Sequence, residues 1–137
     1  MADLSWTSSA TVAGASVNTV THVASVAIAA GEFYTLNTSG LAVLADNDSS
    51  TLDGSAGIYL AINSAAANQR ITGATPGQDI TVSSTMTVGV FYYLSSAPGK
   101  ICPVGDLVST DYVTQLGWAK SATLFRFAPV VTGYQVP

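Results

Sequence analysis

From residue 26 onward the apolar side chains come in short runs broken by Gly, Pro, Ser, Thr and Asn, and no run keeps the three-to-four spacing of an amphipathic helix. Runs of this length predict strands at 26–29, 33–36, 41–44, 58–62, 69–72, 79–82, 86–88, 91–94, 100–103, 112–119 and 123–131. Upstream, Val17, Thr19, Thr21 and Val23 would share one face of an extended segment. Turn chemistry separates the runs: Asn37-Thr38-Ser39-Gly40, Thr75-Pro76-Gly77-Gln78 and Ser95-Ser96-Ala97-Pro98-Gly99 place Gly where positive φ is needed and Pro where φ is preset. The one helical candidate, Ser64-Ala65-Ala66-Ala67-Asn68, is too short to offset the cost of helix nucleation. The pattern predicts an all-β domain, a compact barrel or sandwich.

The strands repeat. Gly31-Glu32-Phe33-Tyr34-Thr35-Leu36 aligns with Gly89-Val90-Phe91-Tyr92-Tyr93-Leu94 at a constant offset of 58 (89 − 31, 94 − 36). Gly40 then pairs with Gly99, Asp46 with Asp106, and Ala61-Ile62-Asn63-Ser64 with Ala119-Lys120-Ser121-Ala122. The expected organisation is an extended N-terminal arm at 1–24, binding a partner, and a β domain at 25–137 made of two similar modules, about 26–75 and 84–132. Within each module a Phe-Tyr pair puts one ring on each sheet face, and the expectation is Phe inward and Tyr toward a partner or water.

Composition narrows the function classes. Charged residues are only 9% of the 137 and the net charge is −4, so Ser, Thr, Ala, Gly and Asn must coat the surface. A coat so poor in charge suits packing against other subunits. Arg70, Lys100, Lys120 and Arg126 are scattered, which argues against nucleic acid, since phosphate neutralisation needs a basic stripe. Cys102 alone cannot form an internal disulfide. The start of the chain lacks the basic and apolar regions of a signal peptide, and no apolar run approaches the roughly 18–20 residues of a membrane span. Synthesis inside a cell and no membrane partner are expected.

Reactive constellations are weak. Asp46-Asn47-Asp48-Ser49-Ser50 opens like a calcium loop but lacks the Gly and Glu that complete one, and a self-capping turn accounts for the same letters. His22 is the single histidine and has no nucleophile elbow to serve. Cys102 lies in an apolar strand end, where cysteine behaves as a small hydrophobe. Carboxylate pairs such as Asp106 with Asp111, or Glu32 with Asp79, leave a small hydrolase formally open. The expectation is no enzyme, no cofactor, no metal and no small-molecule substrate. Trp6, Val12, Val17 and His22 are the candidate partner-binding residues, Trp6 as an aromatic anchor.

The stretch 88–122, with Gly-Val-Phe-Tyr-Tyr-Leu-Ser-Ser-Ala-Pro-Gly-Lys-Ile-Cys-Pro and the run Gly105 to Ala119, resembles the small capsid cement or decoration proteins of tailed bacteriophages. The earlier Ala30-Gly31…Tyr34 and Ala61 to Ala67 look like a first copy of the same module, so the likeness covers roughly 26–132. Tyr59 and Asn68 stand where that pattern has Gly. The resemblance implies a non-enzymatic virion protein, often a homotrimer, made in the host cytoplasm. It would sit on the outer capsid surface at local threefold or twofold positions and clamp neighbouring major capsid subunits. The alternative is a tail-fibre or spike module binding a host receptor or glycan through Tyr92, Tyr93 or Tyr112.

Overall fold

The computed structural model describes residues 18–49, 51–53, 56–81 and 86–137. Ten strands account for most of it: β1 (Thr19–Val23), β2 (Phe33–Leu36), β3 (Ala42–Leu44), β4 (Tyr59–Ala61), β5 (Arg70–Ala74), β6 (Gln78–Thr81), β7 (Phe91–Leu94), β8 (Ile101–Pro103), β9 (Tyr112–Ala119) and β10 (Leu124–Gln135). A 3-10 turn at Val104–Asp106 is the one helical element among the described residues. The strands form two five-stranded antiparallel sheets, β1-β5-β4-β2-β3 and β6-β10-β9-β7-β8. The protein is a sandwich.

Adding five to each strand number of the first sheet reproduces the order of the second, so the chain is duplicated in topology as well as in letters. The hydrogen bonds repeat too. Gly31 N–H donates to Ala61 O as Gly89 does to Ala119 O, Ala61 N–H to Glu32 O as Ala119 does to Val90 O, and Glu32 N–H to Ala29 O as Val90 does to Thr87 O. Every one of these pairs is 58 apart. Gly31 and Gly89 carry φ of 92° and 81°, a left-handed turn that only Gly adopts without strain.

The copies begin earlier than their apolar pattern suggests, at Thr19 and Gln78, because each starts with an edge strand of mostly polar residues, TVTHV and QDIT. β1 pairs with β5 from Thr19↔Ala74 to Val23↔Arg70. The expected arm at 1–24 is therefore narrowed, its last five or six residues being a bonded strand. Neither 26–29 nor 86–88 is a strand. Ile28 and Ala65 instead exchange a pair of backbone bonds at 2.9 Å, and Met86 N–H donates to Ala122 O at 2.9 Å. Segment 64–68 forms no helix; Asn68 ends it at φ 70°, a left-handed conformation that Asn tolerates where the resemblance has Gly.

Two apolar clusters show how the copies are stacked. Between the sheets lie Phe33, Leu60 and Ala74 of the first copy with Ile80, Tyr92, Leu94, Leu116, Phe125 and Phe127 of the second. On the far side of the first sheet, Tyr34, Ala61 and Ile71 pack under Ala24, Ile28 and Ala65. Equivalent residues thus face opposite ways relative to the interface: Phe33 is inside and Phe91 outside, while Tyr34 lies in the outer cluster and Tyr92 inside. The sheets are stacked the same way up, like successive plates, and are not mirrored across a twofold axis. Phe33 meets the expectation of Phe inward, but Tyr34 faces neither water nor a partner, being buried in the outer cluster, and in the second copy the two faces invert.

The stacking also accounts for Tyr59. Its equivalent is Gly117, whose position leaves no room for a Cβ because the Arg126 carbonyl lies against it and Phe125 crowds the same side. In the first copy the corresponding face opens on the smaller cluster, and Tyr59 fits there with its ring centroid 5.3 Å from that of Tyr34.

The repeat yields a paired prediction. Phe33 meets Phe127 and Phe125 edge-on at 5.4 and 6.4 Å. Phe33→Ala should lower the unfolding free energy by about 3–5 kcal/mol in urea titration. Phe91→Ala, at the equivalent but exposed position, should cost less than about 1 kcal/mol. Equal costs would contradict the stacking.

Candidate binding surface

Because the second sheet is stacked the same way up, the face that Phe33 and Leu60 present to the interior is presented by Phe91 and Trp118 to solvent. Strand register sets a row across four strands: Phe91 of β7 is opposite Trp118 of β9, Trp118 opposite Arg126 of β10, and Arg126 opposite Asp79 of β6. Residues directly opposite on one sheet face have neighbouring Cβ atoms and interact. Phe91, 43% exposed, stacks on Trp118 with centroids 5.5 Å apart and planes tilted by 41°. One pair further along, the Tyr93 hydroxyl donates to Gln115 Oε1 at 3.3 Å.

The row ends in an ion-pair group. Asp79 accepts from Lys120 Nζ at 2.8 Å and from Arg126 Nη1 at 3.4 Å. The Lys120 hydrogen bond, with smaller help from Arg126, holds the Asp79 carboxyl below the usual carboxylate range. All three groups reach solvent, so the pairing orients side chains more than it stabilises the fold. The surface offers two aromatic rings flanked by oriented polar groups.

The other sequence candidates are used within the fold. Tyr92 is 3% exposed, and its hydroxyl accepts the Thr87 N–H at 3.2 Å; Tyr112 is half-buried. Of the three tyrosines expected as a stacking face, Tyr93 alone lies on the platform. Glu32 accepts the Ala29 N–H at 2.8 Å and faces Lys100 at 3.8 Å, on the copy opposite Asp79. Asp111 is buried and accepts the Val108 N–H at 2.9 Å. Cys102 is buried with Sγ directed at Leu94 O.

The acidic loop after β3 is a latch between the copies. Asp48 N–H closes on Asp46 Oδ1 at 3.0 Å, the Asn47 amide donates to Leu94 O at 2.9 Å, and Tyr112 N–H donates to Asn47 O at 2.7 Å. Burial, with the neighbouring charges of Asp48 and Asp111, pushes the Asp46 carboxyl up. Among the described residues no cluster of three or more His, Cys, Asp or Glu is arranged to hold a metal. A shallow hollow over Ile28 and Ala65 is lined by Glu32, Ser64 and Gln69, each already accepting a backbone N–H.

Trp6, Val12 and Val17 lie outside the described residues. His22 sits on β1 against Tyr34 and Tyr59, with ring centroids 5.7 and 4.9 Å away and Nδ1 3.0 Å from the Tyr34 hydroxyl. Tyr34 is buried, and that burial, with the nearby Tyr59, raises its pKa, so its hydroxyl keeps its proton beside the imidazole. Phe91, Trp118 and Arg126 were not singled out by spacing as one surface. The available signal was the repeat offset combined with one inverted face.

No protein-family model, curated protein or solved structure matches the chain. Among the described residues no helix is long and apolar enough to cross a membrane.

Desolvation lowers the His22 pKa from 6.5. The unfolded chain therefore takes up this proton at a higher pH than the folded one. The stability that neutral His22 supports is complete above about pH 6.5 and is lost as pH falls through that value toward the lowered one. The urea midpoint should drop between pH 7.5 and 5.5, and His22→Gln should flatten that drop; an unchanged slope in the variant would place the titration elsewhere.

Proposed function

We propose that the chain is a structural virion protein of a tailed phage that binds the outer surface of the capsid and clamps neighbouring major capsid subunits. On this reading it is not an enzyme. The sandwich rests on the shell, and residues 1–17 act as the tether, with Trp6, Val12 and Val17 as its apolar anchors. The observation that carries the reading is the way the chain leaves the sandwich. Asn18 N–H donates to Gln78 Oε1 at 2.9 Å, Gln78 Nε2 donates back to Asn18 O at 2.8 Å, and Thr75 N–H donates to the same carbonyl at 3.1 Å.

This clip joins the start of β1 to the start of β6, the edge strands of the two sheets. Tension on residues 1–17 is then shared by both sheets, and β1 resists it in shear through five paired residues along β5. A clamp on a shell under internal pressure needs such a load path. A chain with only 9% charged residues suits close packing among neighbouring subunits, and joining three protomers would multiply a modest affinity by about 10²–10⁴ through effective concentration.

The first test is the copy number in purified particles, measured by quantitative mass spectrometry against the major capsid protein. A simple fraction of one per capsid subunit is expected; a handful of copies would move the chain to the tail or portal, and absence would end the reading. Deleting residues 1–17 should abolish binding to heads that lack the protein while leaving circular dichroism and melting unchanged. A longer deletion through residue 24 is a poorer test, because it also removes β1. Attachment retained by the shorter deletion would sink the tether.

A further inference from the structure

The duplication supplies an internal control for the outer face of the second sheet. In the first copy, the face turned toward the second sheet carries Phe33, Leu60, Ala74, Thr35 and Gly57, with Thr19 at its exposed edge. By sequence offset and strand register, the same places in the second copy hold Phe91, Trp118, Arg126, Tyr93, Gln115 and Asp79. One aromatic is kept. Leu60, Ala74 and Gly57, which have no hydrogen-bonding side chain, are replaced by Trp118, Arg126 and Gln115, which do, and Thr35 and Thr19 by Tyr93 and the charged Asp79.

A second protein sheet laid over this face would strip water from Arg126, Asp79 and Lys120, and buried ion pairs seldom recover that cost. A pyranose does not impose it. Its axial C–H face is apolar and packs on an aromatic ring, while its rim of hydroxyls both donates to and accepts from planar polar side chains. We propose that this face is a saccharide-binding platform, with Trp118 and Phe91 as the stacking surface, the Tyr93–Gln115 pair on one side and the Asp79–Arg126–Lys120 group on the other. The row from Phe91 to Asp79 crosses three inter-strand spacings, about 14 Å, long enough for more than one sugar ring. The ligand class is a pyranose polysaccharide, read along the row and not at a single closed pocket.

The polar groups are held ready by their mutual bonds, Tyr93 to Gln115 and both cations to Asp79. Fewer rotamers are lost on binding as a result. The platform is on the second sheet, whereas the proposed tether leaves from the Asn18 clip, so either can fail without the other.

The test uses the full chain carrying Trp6→Phe, which leaves Trp118 as the single tryptophan. Cellohexaose, chitohexaose and a galacturonic acid hexamer are titrated separately by calorimetry and by Trp118 emission. At least one should give saturable heat with a blue shift. Phe91→Ala and Arg126→Ala should each weaken that binding by about tenfold or more, Trp118→Ala should abolish the heat, and Tyr134→Ala, exposed but off the row, should leave it unchanged. Near-ultraviolet circular dichroism checks folding, and should Trp118→Ala fail to fold, the Phe91 and Arg126 variants decide. No response to any of the three sugars, or full affinity in those variants, would overturn the proposal. So would a dimer in sedimentation that Phe91→Ala dissociates, which would give the face to a second copy.

Discussion

The contact of Phe33 with Phe125 and Phe127 is the joint on which the rest of the molecule depends. It brings one face of the first sheet against the opposite face of the second, and with that pairing made, every other position has its side chosen by the two-residue period of a strand. Backbone bonds between the copies, Phe33 N–H to Gly99 O at 2.9 Å and Gly99 N–H to Ala45 O at 2.8 Å, lock the same arrangement at the rim. Slippage by one residue would expose Tyr92, Leu94 and Phe125 and bury Arg126 beside Asp79, so the register is strongly specified.

Same-way-up stacking has a cost that a mirrored pair avoids, because it leaves two unlike outer faces to be managed. The chain closes one by folding Ala24, Ile28 and Ala65 over Tyr34 and Ile71. On the other it keeps Phe91 and Trp118 at the surface and surrounds them with charge and amide groups. In a protein with so few charged residues, three of them gathered at Asp79 are an uneven use of a scarce resource. That concentration is the physical ground for treating this face as a binding surface.

On the proposed reading, function on this architecture is divided between an attachment device and a display face. The Asn18–Gln78 clip ties the start of β1 to the start of β6, while the aromatic row stands on the second sheet. Four residues weighed for catalysis have places in the fold: Asp111 and Glu32 cap backbone amides, Cys102 fills core volume and His22 completes an aromatic cluster.

The sequence by itself determined the strands with strong apolar alternation, and 33–36, 91–94 and 112–119 are found at their expected bounds. It also determined the duplication, since equal spacing of Gly, Phe and Leu needs no knowledge of packing. Edge strand β6 lies one residue from its expected 79–82, whereas β1 falls in the segment expected as an arm, because an edge satisfies its pairing with backbone alone and asks little of side chains. Only the tertiary structure decided which face of each copy turns inward. Adjacent Phe and Tyr are both able to fill a core, and the alternation that separates them is the same in either sense. The choice was made by volume and contact between sheets: Gly117 beneath Arg126 admits no side chain, its counterpart Tyr59 fills a cluster, and Phe91 is left where Phe33 is buried. Local letters carry no record of that choice, because it is a property of two surfaces brought together from residues far apart in the chain, as Phe33 and Phe125 are.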